Sequence, residues 1–172
     1  MSVRCQGFHD GLCGIYSVTN AVKHLTKCNQ EAEIALFKRM IDSDYFKKSC
    51  IYDGLSVKQL ADIINDIQPY LTVGAYKVSI QQKNLDVERS DSYFKTLKKL
   101  LEENENSVAI IGIEGKINHW TVVYNVTDDQ MQVADSGGMK VINRTFCIVS
   151  NRNIDNKYNL IPSEVFLVSK MK

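Results

Sequence analysis

The sequence predicts an α+β fold in which helices come first and antiparallel strands follow. Apolar residues recur at helical spacing in the first half, whereas β-branched and aromatic residues fill short runs in the second half. The runs at 118–125 and 130–135 flank a short polar turn and predict a β-hairpin. This order is typical of an N-terminal helical half that packs against a C-terminal antiparallel sheet.

Four helices are predicted. Residues 14–27 carry one apolar face at spacings of three and four, and residues 30–48 continue in the same way. Ser56 is a suitable N-cap for a third helix, whose inner face begins at Val57. The apolar positions of residues 91–103 predict the fourth helix.

The β-rich segments are predicted as strands in chain order. They comprise 71–80, 107–113, the two hairpin strands, 139–142, 145–149 and 164–169. The polar stretch 81–90 is predicted to be a surface loop that could edge the cleft between the two halves.

Composition favours one globular domain spanning residues 1–172. The chain is 44% hydrophobic, which suffices for a full core, and its net charge of +1 gives no indication of nucleic-acid binding. No apolar run is long enough to span a membrane, and the N-terminus lacks the apolar core of a cleaved signal peptide. Five cysteines, an odd number, indicate free thiols in a reducing compartment rather than a disulfide framework. We therefore expect a cytoplasmic protein, or one delivered into a target cell without a cleaved signal.

Cys13 is the candidate nucleophile. It lies on the first turn of the predicted helix, where unpaired backbone N–H groups and the helix dipole favour a thiolate. Gly11 and Gly14 flank it and give it little steric cover. The alternative is that Cys13 is an ordinary buried thiol.

His119 and Asp135 are predicted to be neighbours in the hairpin. A turn centred on Thr127 would pair Val123 with Met131 and place His119 directly opposite Asp135. The carboxylate would then accept the Nδ1–H of the imidazole and orient the ring toward Cys13. The alternative is a structural His–Asp pair, or an Asp135 that caps the turn at 136–138 and faces away from His119.

A metal site is the competing chemistry. The candidate ligands are regularly spaced thiols and imidazoles near the N-terminus: Cys5, His9, Cys13, His24 and Cys28. This order lacks the paired C-x-x-C motifs of zinc sites, so no metal and no cofactor are predicted.

The combination of Gln6, residues 10–14 (DGLCG), residues 119–123 (HWTVV) and residues 135–137 (DSG) resembles the papain-fold cysteine hydrolases. The layout is most similar to the bacterial double-glycine-leader peptidases and to papain-like effector proteases and deamidases. The resemblance implies that Cys13 is the nucleophile, His119 the general base and acid, and Asp135 the orienting carboxylate. Gln6 and the Cys13 backbone N–H would form the oxyanion hole.

Three functions follow from this resemblance. The first is a cysteine peptidase that acts on a protein or peptide substrate through a Cys–His–Asp triad. The second is a glutamine deamidase or acyl transferase, since the first chemical step is identical. The third is a catalytically inactive papain-fold module that binds proteins. Control by a regulatory or inhibitory protein partner is left open.

Overall fold

The computed structural model describes residues 3–4, 11–73, 76–150 and 156–171. Its helices are α1 (Cys13–Thr26), α2 (Gln30–Ile41), α3 (Cys50–Asp53), α4 (Val57–Leu71) and α5 (Ser90–Glu103). Its strands are β1 (Val78–Lys83), β2 (Ser107–Gly115), β3 (His119–Val126), β4 (Gln130–Ala134), β5 (Val141–Asn143), β6 (Cys147–Ile148) and β7 (Tyr158–Lys170). None of the helices in these ranges is both long and apolar enough to cross a membrane.

The strands form one sheet in the order β1-β7-β2-β3-β4-β5, with antiparallel pairing throughout this path. The short strand β6 pairs with β7 in parallel. The C-terminal strand β7 therefore lies inside the sheet, between β1 and β2. Strand β3, which begins at His119, lies two positions further along the sheet.

Helices cover both faces of the sheet. Val108 and Ile110 of β2 point into the core formed with α1, α2 and α4, whereas Ala109 and Ile111 point into a second core with α5. Because both faces of β2 are buried, its sequence is a continuous apolar run without the alternation of a half-exposed strand. The α+β class with N-terminal helices and a C-terminal antiparallel sheet is confirmed, and α5 adds a layer on the far side of the sheet.

Several predicted segments are wrong in their extent: the strand predicted at 164–169 is β7, which begins at Tyr158, and the strand predicted at 145–149 is reduced to β6. The helix predicted at 30–48 ends at Ile41, because Ser43 starts a turn in which its carbonyl and hydroxyl accept the backbone N–H groups of Phe46 and Tyr45. The strand predicted at 71–80 begins only at Val78. Leu71 belongs instead to the last turn of α4, where it is fully buried in the core.

The start of α4 follows the prediction. The Ser56 side chain accepts the Gln59 backbone N–H, and the Gln59 side chain accepts the Ser56 backbone N–H, which is a complete capping box. The segment 81–90, predicted as a surface loop, is a loop only over 84–89: residues 81–83 end β1 at the sheet edge and Ser90 begins α5. None of these residues lines the cleft described below.

Candidate active site

Cys13 is the first residue of α1 and lies at the floor of a cleft. Its side chain is 6% exposed and lines a cavity together with His119. Leu12 precedes it as the N-cap residue and makes no side-chain hydrogen bond to the helix, so this end is not capped by its own N-cap side chain. The thiol therefore lies beside the positive end of the helix dipole, as the sequence predicts.

Gly11 allows the chain to reach this position. Its N–H donates to the Ile51 carbonyl at 2.5 Å, which ties it to helix α3. A Cβ atom on Gly11 would lie 2.6 Å from the Gly54 nitrogen, a distance that side chains do not tolerate. Glycine at this position thus permits the segment before Cys13 to pack directly against the loop that follows α3.

Trp120 joins the helical half to the sheet next to the candidate base. Its carbonyl accepts the Ser17 hydroxyl of α1 at 2.9 Å, and its indole N–H donates to the Leu55 carbonyl at 2.8 Å. Both bonds are buried. The residue after His119 is therefore held to α1 on one side and to the cleft wall on the other.

His119 and Asp135 are hydrogen-bonded. The distance between His119 Nε2 and Asp135 Oδ1 is 2.5 Å, and both side chains are largely shielded from solvent. Burial alone would lower the pKa of His119, but hydrogen bonds and charge interactions with Asp135 and Cys13 raise it to about 9. The imidazole is thus positioned between the thiol and the carboxylate and favours its protonated form.

Asp135 also caps the turn that follows it. Its Oδ2 atom accepts the backbone N–H groups of Gly137 at 2.8 Å and Met139 at 3.1 Å. The two expected roles, orienting His119 and capping the turn, are therefore combined in one carboxylate. Burial raises the pKa of Asp135. The hydrogen bond and the charge of His119 lower it, as does the hydrogen bond from the Met139 N–H, and together they hold the pKa below its ordinary value.

The predicted hairpin register is wrong by two residues near the site. Val123 pairs with Val133 rather than with Met131, and the register shifts at a bulge between Val123 and Asn125. Continued along the strands, this pairing places Asp135 opposite Thr121, one pleat away from His119. The two side chains still meet, because a shift of two residues keeps both on the same face and diagonal neighbours lie within reach of long side chains.

The ring nitrogen that contacts Asp135 also differs from the prediction. Asp135 bonds Nε2, so Nδ1 is the nitrogen left to interact with Cys13. The two ring nitrogens have therefore exchanged the partners that were expected for them, but the imidazole still lies between the thiol and the carboxylate.

Three sequence candidates lie outside the described residues: Gln6, Cys5 and His9. The oxyanion role of Gln6 therefore stays a prediction. Of the remaining residues of the alternative metal set, Cys13 lines the cleft, whereas His24 and Cys28 do not. His24 stacks on the Tyr124 ring with centroids 5.2 Å apart, and Cys28 follows the end of α1.

Two cavities of the cleft are lined by His119. One cavity of about 240 Å³ contains Cys13, His119, Trp120 and the loop after α3. A second cavity of about 550 Å³ lies against His119, Asp135, Gly137 and Tyr158. His119 and Asn118 line both cavities, whereas Cys13 lines only the first.

Several residues of the site were not identified from the sequence. Ser17 is a fully buried serine beside the apolar face of α1, a polar residue in a position where an apolar one is expected. Glu164 and Glu114 line the cavity that contains Cys13. Glu164 follows Ser163 and directly precedes the apolar run 165–168 of β7, and a carboxylate at the start of a buried strand segment is the signal that could have identified it.

No protein-family model matches the sequence, and no curated protein is found similar to it. Among solved structures, the peptidase domain of Streptococcus ComA, a bifunctional ABC transporter involved in a quorum-sensing pathway, superimposes with a TM-score of 0.52. The alignment covers 98% of this chain and 96% of that chain at 13% sequence identity. The chain has a papain-like peptidase fold. At this identity the likeness concerns the fold, and it gives no support to an effector or deamidase assignment.

Proposed function

We propose that this chain is a papain-like cysteine peptidase that hydrolyses a peptide bond in a protein or peptide substrate. The observation that carries the proposal is the position of His119 between two partners on different elements. It interacts with Cys13 at the start of α1 and with Asp135 after β4, and these two contacts raise its pKa to about 9. A structural His–Asp pair would not require a thiol at a helix N-terminus on the other side of the ring.

The proposed reaction begins with the Cys13 thiolate attacking the carbonyl carbon of the scissile bond. The negative charge that develops on the carbonyl oxygen is stabilised by the Cys13 backbone N–H and, as the resemblance implies, by Gln6. His119 then donates its proton to the leaving amine, and the C–N bond breaks to leave a thioester on Cys13. His119 next takes a proton from water, whose oxygen attacks the thioester and releases the acid and the thiol. Asp135 holds the ring in place through both steps.

The shape of the cleft favours a peptide bond over a glutamine side chain. Two cavities share Asn118 and His119 as lining residues, and only one of them contains Cys13, so space for substrate extends beyond the immediate surroundings of the thiol. A deamidase needs only to admit one side chain to the thiol. The additional space beside His119 therefore supports the peptidase assignment.

The test is incubation of the full chain with a proteome-derived peptide library and with intact candidate proteins, followed by mass spectrometry. New termini identify a peptidase, an amide-to-acid mass change without fragments identifies a deamidase, and covalent additions identify a transferase. Cys13→Ala should abolish the fragments, whereas Cys28→Ala, which removes a half-buried thiol after α1, should retain them. Absence of fragments from the folded wild-type chain, or equal fragments from Cys13→Ala, would overturn the proposal.

A further inference from the structure

The cavity that contains Cys13 carries negative charge on its wall. Three of the residues that line it carry carboxylates: Asp53 at the end of α3, Glu114 near the end of β2 and Glu164 in β7. Among the described residues that line this cavity, none is lysine or arginine. The imidazolium of His119 also lines the cavity, but its charge is already paired with Asp135 and Cys13, so substrate that enters beside the thiol meets carboxylates that no free cation of the described wall offsets.

Glu164 is held in place by an irregularity of the sheet. The pairing of β2 with β7 passes from Ile111–Val165 to Ile113–Leu160, so residues 161–164 bulge opposite Gly112. The Glu164 side chain occupies the space over Gly112, where any Cβ atom would collide with it. Bulges commonly redirect a side chain beside an active site, and this one places a carboxylate in the cleft.

Among the described residues, Glu164 has no partner that offsets its charge. It makes no hydrogen bond or ion pair within the described parts of the chain, and its surroundings raise the pKa of its carboxyl through burial and through the nearby charge of Glu114. Elsewhere, the buried Glu33 is paired with both Arg4 and Lys23. A half-buried carboxylate beside a second carboxylate is unfavourable by itself and becomes favourable when a cation binds between them.

We propose that Glu164, together with Glu114, forms a subsite that binds a lysine or arginine side chain of the substrate and so directs cleavage to sites beside a basic residue. The inference rests on the proposed peptidase function. Because the carboxylates and Cys13 share one small cavity, the basic residue lies within about two positions of the scissile bond. The cavity of about 240 Å³ has room for one extended side chain beside Cys13.

The test compares cleavage of matched peptides. Sites found in the peptide library should be enriched in lysine or arginine at one position near the bond. For one such site, two peptides are compared that differ only in carrying lysine or glutamine at that position. The quantity measured is the ratio of kcat/KM for the lysine peptide to kcat/KM for the glutamine peptide. Glu164→Gln should lower this ratio about tenfold, the effect of losing one partly desolvated charge pair, and Glu164→Lys should reverse it. The control is Glu105→Gln, the same change at an exposed residue beyond the opposite end of β2, which should keep the wild-type ratio.

The outcomes separate this inference from the proposed function. Cleavage without basic enrichment, or a ratio unchanged in both Glu164 variants, would overturn the subsite while the peptidase assignment stands. If circular dichroism shows that a Glu164 variant does not fold, Glu114→Gln gives the same comparison, and an unchanged ratio there overturns the subsite equally. A folded wild-type chain that cuts no peptide rejects the peptidase assignment and the subsite with it.

Discussion

The side chains of His119 and Asp135 meet across the hairpin although the two residues are not paired in the sheet. Nε2 and Oδ1 are 2.5 Å apart, and the second carboxylate oxygen accepts the Gly137 N–H of the following turn. The backbone of the turn therefore holds the carboxylate in the position from which it orients the ring. This arrangement makes the position of the imidazole depend on one turn as well as on the strands.

Cys13 should react first with iodoacetamide near neutral pH. It lies at a helix N-terminus beside the His119 imidazole, whereas Cys50 is buried and burial raises the pKa of Cys147 to about 12. Labelling followed by peptide mapping would measure the order of reaction. Cys28 is the most accessible competitor among the described thiols. If it reacts first while Cys13 stays unmodified, Cys13 is not the nucleophile.

His119→Ala should lower kcat/KM by roughly 10²–10⁴-fold without unfolding the chain, because it removes proton transfer and the partner of the thiolate together. His24→Ala is the matched control. His24 lies on α1, stacks on Tyr124 and does not line the cleft, so its loss should change turnover little. Steady-state kinetics with thermal melts of both variants would check this. Near-normal turnover of folded His119→Ala would exclude His119 as the base.

Asp135→Asn should slow turnover less than Asp135→Ala, and both should be less damaging than Cys13→Ala. Asparagine keeps a polar group beside Nε2 and toward the turn, but it removes the charge that favours the imidazolium. Alanine removes both. Kinetics of the three variants, with crystal structures of the two Asp135 variants, would measure this order. Equal activity of Asp135→Ala and wild type would leave a Cys–His dyad.

Activity and stability should both decline as the pH rises through about 9, the folded pKa of His119. The folded pKa lies above the ordinary value of 6.5, so the folded state binds the proton more tightly than the unfolded state. The resulting stabilisation is fully present below pH 6.5 and is lost as pH rises through about 9. The difference in melting temperature between wild type and His119→Gln should therefore shrink over this window. A difference that grows with pH would contradict the raised pKa.

Trp120→Phe should reduce the free energy of unfolding by about 1–3 kcal/mol, because it leaves the Leu55 carbonyl without its buried donor. It should also lower kcat/KM, since the same bond holds the cleft wall. Tyr93→Phe serves as the control. The Tyr93 hydroxyl is buried without a hydrogen-bond partner in the described structure, so its removal should be neutral or stabilising. Urea unfolding of the two variants would distinguish these effects. An equal loss in the free energy of unfolding for the two variants would show that the Trp120 hydrogen bond contributes nothing to stability.

Local patterns were sufficient to place most elements. The apolar spacing of α1, the cap at Ser56 and the β-branched runs of the hairpin each depend on residues close in sequence. The predicted register was wrong by two residues, yet His119 and Asp135 do lie on one face of the sheet. Side chains of a strand return to the same face every two residues, so an offset of two keeps both on that face. The sequence by itself thus determined the order of elements and the pairing of imidazole with carboxylate.

Tertiary contacts decided the rest. Leu71 lies in a helix rather than in the predicted strand because the core on that face of the sheet buries it completely. In the hairpin, Val126 pairs with Met131 at the turn, and the bulge between Val123 and Asn125 shifts this register by one residue before the site, where Asp135 meets Nε2 of His119. The bulge of β7 over Gly112 directs Glu164 toward Cys13 from far along the chain. Such placements depend on how strands pair and how layers pack, and no local spacing of residues encodes them.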